Sequence, residues 1–343
     1  MELKTATMQA LVLAEYGRMA VEARPVPARG TGDALLRILF TGICGSDLHG
    51  YTGENGRRSP GQVMGHETVA RVAELPEGYG GSLSVGRLVT VNPTLACGEC
   101  RACGAGRDNH CVQRRVVGVA PEVSSAFAEF MTVPVGNVVP LDESMPVEHG
   151  ALVEPLAVGY HAVVRGGVGP GDDVLVIGAG PIGQAVVLAA SREGARRILV
   201  SEPSPSRRAL AESLGADVLD PFDELGAISD LGGVDVAIDA VGASVTLESA
   251  LAATKIGGTV VLVGMNAPDV SLRAYEVSTQ ERSLIGAFCY TDEEFRETAR
   301  WAATAELAPL VTRIVELPEA SDAFATLASS PETASKILVR FSG

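Results

Sequence analysis

Aromatic side chains are scarce: Phe, Trp and Tyr make up 4% of the 343 residues, and there is a single Trp. A pocket built to enclose a large aromatic ligand is therefore not expected, and a small polar ligand fits better. Basic residues are also few, with 27 Lys and Arg against 42 Asp and Glu and a net charge of -15. No stretch gathers basic residues with interleaved aromatics, so nucleic acid is not an expected partner. The chain has no run near the roughly 20 apolar residues of a membrane span. The opening MELKTATMQALVL lacks the apolar core of a signal peptide. No membrane partner is expected, and the cytoplasm is the expected compartment. The six cysteines are too few for a disulfide-dense secreted scaffold.

What is present is ample apolar material, 46% of residues, in a chain long enough for two packed domains. Through about Pro140 the sequence holds short β-type runs broken by Gly and Pro, such as ALLRILF, RLVTVNP and FAEFMTVPV, which read as an irregular β-rich domain. From Asp173 apolar strands alternate with helical stretches: DVLVIG, PIGQAVVLAASREG, RILVSE, SPSRRALAESLG, ADVLD, VDVAIDAVG, TLESALAAT and GGTVVLVGM. That alternation, with near-continuous Val, Ile and Leu strands, predicts a parallel sheet covered on both faces. A further strand, SLIGAFCY, is expected to end near Tyr290, followed by a helix from DEEFRETARW, and the closing SKILVRF reads as a strand returning to the first domain. The expected division is 1–154 with 292–343 around a domain of residues 155–291, with the run VEPLAVGYHAVVRGG assignable to either side.

Gly178, Gly180 and Gly183 form G-A-G-P-I-G directly after a strand and before a helix that opens with Pro181 and Ile182. A glycine-rich turn lets the backbone approach a pyrophosphate, and the helix N-terminus offers free N–H groups and a positive dipole end. The next strand ends at Glu202, where an acidic side chain accepts ribose hydroxyls and repels a 2′-phosphate, so NAD is expected over NADP. Arg207, followed by Arg208, is the opposing feature, a candidate phosphate partner or a solvated pair on a helix face. Val241, Val263 and Gly264, at the ends of the later strands, are further expected cofactor contacts.

Four of the cysteines, Cys97, Cys100, Cys103 and Cys111, read C-x2-C-x2-C-x7-C inside CGECRACGAGRDNHC. Four thiolates close a tetrahedral zinc site with no open position, a structural rather than chemical centre. An iron-sulfur cluster fits the same spacing, but nothing else points to electron transfer, and a pair of disulfides is disfavoured in a reducing compartment. Elsewhere GICGSDLHGY supplies Cys44, Ser46, Asp47 and His49, and VMGHETVA supplies His66 and Glu67. One thiolate, one imidazole and one carboxylate would leave a zinc ion an open position, as catalysis requires.

In this order GICGSD, GHE, the four-cysteine lobe and VLVIGAGPIG resemble the zinc-containing medium-chain dehydrogenase/reductase superfamily, and the resemblance runs from Met8 to nearly the end. LVEPLAVGYHAV is similar to the branch of sorbitol, butanediol and threonine dehydrogenases. The resemblance implies a GroES-like catalytic domain carrying the zinc lobe (93–115) and a six-stranded parallel Rossmann domain, with NAD and the catalytic zinc in the cleft between them. It implies Cys44, His66 and Glu67 as ligands of the catalytic zinc, with Glu154 a fourth ligand or the holder of the zinc-bound water. Ser46 and His49 match a proton-relay pair, and Asp47 would orient His66. Two zinc ions per chain, hydride transfer between a secondary alcohol and NAD, and a homodimer or homotetramer are further expectations. NADP-dependent reduction of a ketone or sugar, or oxidation of a sugar phosphate or amino alcohol, is the alternative. The loop after the first zinc motif offers Tyr51 and Arg57 as substrate contacts; Arg57 with Arg58 would bind a phosphorylated or carboxylated substrate bidentately, or both are solvated loop or subunit-contact residues. His110, His149 and His161 lack partner spacing and are taken as structural. Phe288, Cys289 and Tyr290 fall near the expected nicotinamide position, where the family often has a basic residue that Cys289 does not supply.

Overall fold

The computed structural model describes residues 6–54, 56–221, 228, 232–330 and 335–341. The chain divides into two units, Met1–Glu154 with Thr291–Gly343, and Pro155–Tyr290. Among the described residues no helix is long and apolar enough to cross a membrane.

In the first unit the strand Asp33–Gly42 is the spine of a seven-stranded sheet. It pairs antiparallel with Glu67–Glu74, with Phe130–Pro134 and with the closing strand Lys336–Arg340. Val311–Glu316 extends the sheet beyond that closing strand, and Leu88–Val91 and Val138–Pro140 extend it on the other side. The run ALLRILF, inside the spine, buries Leu36 and Ile38 in a core with Val89, Phe127, Phe324 and Phe341. The register sets Gly42 opposite Glu67 on one side and opposite Leu338 on the other. That brings the GHE segment and the last strand to one end of the same sheet.

The second unit is an all-parallel six-stranded sheet. Its spatial order is Asp217–Leu219, Arg197–Ser201, Asp173–Ile177, Val234–Asp239, Thr254–Leu262, Ser283–Gly286. Every residue of Asp173–Ile177 is buried, as expected of a strand covered on both faces. The chain leaves this strand first in one direction and later in the other, so its C-terminal end is the topological switch point where open α/β sheets bind ligands. The final strand is shorter than the sequence suggests and stops at Gly286. Cys289, at φ 53°, adopts a left-handed backbone that no strand tolerates, so Phe288 to Tyr290 lie beyond the sheet rather than at its end. The run VEPLAVGYHAVVRG forms the helix Val153–Gly166.

Candidate active site

The nucleotide turn is built by steric necessity. Gly178 has φ 90°, and a Cβ on Gly183 would run into the Gly178 carbonyl. A Cβ on Gly180 would instead meet nothing within 4 Å. That open approach lies at the start of helix Pro181–Arg192, where Pro181 removes a donor that would lack an intrahelical partner. This is the cradle a pyrophosphate needs, so the residues fit the implied cofactor. Glu202 is buried, and its two oxygens accept N–H bonds from Ala179 (2.8 Å) and Ser204 (2.8 Å). The acidic side chain thus sits against the glycine turn itself. Arg208 is not a solvated neighbour: it donates to the Glu202 and Pro203 carbonyls and meets Asp220 at 3.4 Å. Arg207 lies on the same helix, Pro205–Ser213. Val241 and Gly264 come together where Gly242 passes so close to Gly264 that neither tolerates a Cβ. Val263 and Gly264 donate to the Asp239 carbonyl, and Asp239 Oδ1 accepts from Val241 and Gly242.

The four lobe cysteines are free thiols whose sulfurs all lie within 4.8 Å of one another. Burial and hydrogen bonds from neighbouring sulfurs push the Cys103 thiol up to about 12. Four soft sulfur donors brought this close suit zinc, which would take them as thiolates when bound. The lobe is tied down by Asp108, which accepts the Asp292 N–H at 3.0 Å, while Asn92 donates to Asp292 at 3.0 Å.

The second donor set is Cys44, His66 and Glu67, again within 4.8 Å. Cys44 caps the helix Gly45–Thr52: its sulfur accepts the Ser46 N–H, and Asp47 returns Oδ2 to the Cys44 N–H at 3.1 Å. This reciprocal cap fixes the thiol at the N-terminal end of the helix. His66 follows Gly65, which at φ 93° packs against Phe127 with no room for a Cβ. Asp47 Oδ1 and His66 Nδ1 face each other at 3.7 Å, both buried and neither hydrogen bonded.

Two buried cations complete the group: Lys336, which the sequence does not single out, and Arg58, which it places on the loop. Lys336 Nζ stands 2.7 Å from both oxygens of Glu67. The Arg58 guanidinium lies 3.8 Å from Asp47. Both are 2% exposed, so Arg58 is not the solvated loop residue expected from sequence. Burial opposes charge on His66, but Asp47, Cys44 and Glu154 together push it up to about 10. A region that draws a proton onto a buried imidazole is electrostatically arranged for a cation. Cys44, His66 and Glu67 would offer a bound metal one thiolate, one neutral imidazole and one carboxylate, which is the donor chemistry of a divalent zinc ion.

Ser46 and His49 lie three residues apart on one face of the capped helix. Ser46 Oγ accepts from Arg58 at 3.3 Å, and half-buried His49 meets Glu54 at 3.1 Å; no hydrogen bond joins the two directly. Tyr51 departs from its expected place. It is 7% exposed, its ring packs 5.7 Å from Phe324, and its hydroxyl is donated to the Gly17 carbonyl. It is a core residue rather than a substrate contact. Arg57 is exposed on the loop.

Residues 30–143 match the alcohol dehydrogenase GroES-like domain family and residues 181–304 the zinc-binding dehydrogenase family. The chain is 33% identical over 332 residues to L-galactonate-5-dehydrogenase of Escherichia coli (strain K12), covering 95% of both chains. It is 39% identical over 267 residues to L-threonine 3-dehydrogenase of Pyrococcus furiosus, covering 75% of both. It superposes on 2R,3R-butanediol dehydrogenase from Bacillus subtilis with a TM-score of 0.88 at 30% identity, covering 98% of this chain and 100% of the other. The chain belongs to the zinc-containing medium-chain dehydrogenase/reductase superfamily, in its polyol dehydrogenase-like branch. It is an oxidoreductase of alcohols and polyols that works with a nicotinamide cofactor and zinc.

Proposed function

We propose that this chain oxidises a secondary hydroxyl of a small vicinal diol, sugar alcohol or sugar acid with NAD. The observation that carries the reading is the group of Cys44, His66 and Glu67, whose donor atoms all lie within 4.8 Å of one another with His66 and Glu67 buried. Cys44, His66 and Glu67 would hold the catalytic metal, with Glu154 as a further ligand or the acceptor for the substrate hydroxyl. Cys97, Cys100, Cys103 and Cys111 would hold the structural one. When bound, zinc supplies the Lewis acidity that makes an alcohol hydroxyl acidic near neutral pH, and the nicotinamide takes the hydride.

The remaining work falls to the protein's own side chains. Asp47 steers the His66 ring, since a ligand imidazole needs its second nitrogen held. Ser46 receives the substrate's proton and His49, half-buried at the helix edge, delivers it to solvent. Glu202 at the glycine turn favours NAD by accepting ribose hydroxyls and repelling a 2′-phosphate. The small donor group and the few aromatic residues suit a polyhydroxylated substrate.

A homodimer or homotetramer is part of the same reading. Ser283–Gly286 is the last strand of its sheet and carries exposed Leu284, while Tyr275 on the helix Ala274–Ser278 and Ile256 on the strand Thr254–Leu262 are exposed as well. The compartment proposed is the cytoplasm, where the six cysteines stay reduced.

The test is a panel of diols, sugar alcohols, their phosphates and amino alcohols, each with NAD and with NADP, on zinc-loaded protein with metal analysis. Turnover of a polyol with NAD and two zinc per chain is expected; no turnover with fewer than two zinc overturns the reading. Ser46→Ala should slow turnover by about 10²-fold or more without emptying the metal site. Unchanged turnover, when hydride transfer limits the rate, removes Ser46 from the mechanism.

A further inference from the structure

Arg58 has no part in the proton path from Ser46 to His49, yet the chain goes to some length to bury it. Its stem crosses the helix Gly45–Thr52 at Gly50, where any Cβ would come within 2.8 Å of Arg58 Cγ. A glycine inside a helix weakens it, so Gly50 is kept for clearance. The guanidinium Nε–H donates to the Gly118 carbonyl at 3.1 Å. Gly118 is itself pinned: at φ 76° it abuts the backbone of Gly65, the residue before His66. From this anchor Nη2 reaches Ser46 Oγ at 3.3 Å and stands 3.8 Å from Asp47 Oδ1.

A serine hydroxyl has one O–H and two lone pairs. With Arg58 donating to one lone pair, the oxygen keeps one position that can receive a proton and one O–H that can pass a proton on. We propose that Arg58 is a positioning residue that gives the Ser46 relay its direction. The inference rests on the relay role proposed for Ser46. As the substrate O–H bond breaks, its proton adds to the remaining lone pair of Ser46. The original Ser46 proton leaves toward His49, and the serine ends neutral. Arg58, which does not deprotonate in proteins, keeps all its protons throughout. The two electrons of the substrate C–H bond leave as hydride to the nicotinamide, so the serine and the arginine are neither oxidised nor reduced.

The experiment is a double-mutant cycle on zinc-loaded enzyme with NAD and whichever panel alcohol is turned over fastest. Its members are Arg58→Met, Ser46→Ala and the double variant, with Arg58→Lys alongside, and it reads kcat, KM, the solvent deuterium isotope effect and zinc per chain. Arg58→Met should lower kcat about tenfold or more, enlarge the solvent isotope effect, and leave KM and zinc content within about twofold. Arg58→Lys should recover part of the loss. In the Ser46→Ala background Arg58→Met should change kcat by less than about twofold, because its route of action is already gone. Equal losses in both backgrounds, or loss of zinc in step with loss of activity, would overturn the proposal while leaving Ser46 in place. If Ser46→Ala alone leaves kcat unchanged, the relay reading fails and this proposal fails with it. Should Arg58→Met not fold, Arg58→Lys, which keeps charge and bulk but loses the forked geometry, carries the same cycle.

Discussion

Replacing Lys336 with Met tests the electrostatic account of the candidate metal centre most directly. Lys336 Nζ lies 2.7 Å from both Glu67 oxygens and 3.4 Å from the Ile43 carbonyl, and neither residue is more than 2% exposed. At that separation of 2.7 Å and an effective dielectric near 20, the attraction is about 6 kcal/mol before desolvation is set against it. Removing one partner leaves a buried carboxylate without its cation, which costs about 3–5 kcal/mol. Burial by itself would lower the Lys336 pKa, but Glu67, Cys44 and Glu154 raise it overall. A cation with a raised folded pKa contributes its full stability below the unfolded value and loses it only as pH climbs through the folded one, so pH 7 shows the whole effect. The assay is urea unfolding of metal-free protein at pH 7, followed by the fluorescence of Trp301. As the single Trp, on the helix Asp292–Trp301, it reports on the first unit. Lys336→Met should lose about 3–5 kcal/mol, and adding Glu67→Gln should return much of it, because the stranded charge is then gone. Zinc-loaded protein should tolerate Lys336→Met better, since a second cation stands beside Glu67. A loss below about 1 kcal/mol in metal-free Lys336→Met would refute the reasoning.

Zinc uptake should release at least one proton between pH 7 and 9, because His66 is held up to about 10 without metal and must be neutral to ligate. The corresponding stability of the metal-free protein is whole below pH 6.5 and drains away toward pH 10. Calorimetry in buffers of differing ionisation enthalpy reads the proton count, and zero release contradicts the assignment. Cys103→Ser should drop the zinc content from two to one per chain and lower the thermal midpoint, while turnover at low temperature persists. Simultaneous loss of both metals would mean the lobe is not an independent structural site. Glu202→Ser removes the negative charge at the glycine turn and frees the Ala179 and Ser204 N–H groups it now holds. The ratio of kcat/KM for NADP over NAD should rise about tenfold or more, and an unchanged ratio would place cofactor choice elsewhere.

The two donor sets are readable in the sequence for different reasons. The lobe cysteines lie within Cys97–Cys111, where spacing alone dictates that their sulfurs meet. Cys44 and His66 need a family resemblance to be joined, because what unites them is sheet geometry. The strand Asp33–Gly42 delivers Cys44, and its antiparallel neighbour delivers Glu67 opposite Gly42. Pattern also carries the parallel sheet, since a strand such as DVLVI can only be buried on both faces. It misleads at SLIGAFCY, where a run of apolar residues continues past the point at which the backbone of Cys289 turns left-handed.

Tyr51 misleads because a tyrosine near a metal motif and a tyrosine in a core look alike until the hydroxyl partner is known. Lys336 is hard to foresee because it is a single basic residue on the last strand with no local pattern to mark it, and Arg58 because nothing in the run RRSP tells a buried arginine from a solvated one. Their trace in the sequence is the glycine each requires. Gly42 closes a strand where a Cβ would collide with Glu67 and crowd Lys336, and Gly50 interrupts a helix where a Cβ would strike Arg58. A glycine in a regular element that needs no unusual φ signals that something passes close by. Here both glycines make room for a buried cation facing Glu67 or Asp47, so the placement of Lys336 and Arg58 beside the candidate metal site depends on the absence of two side chains.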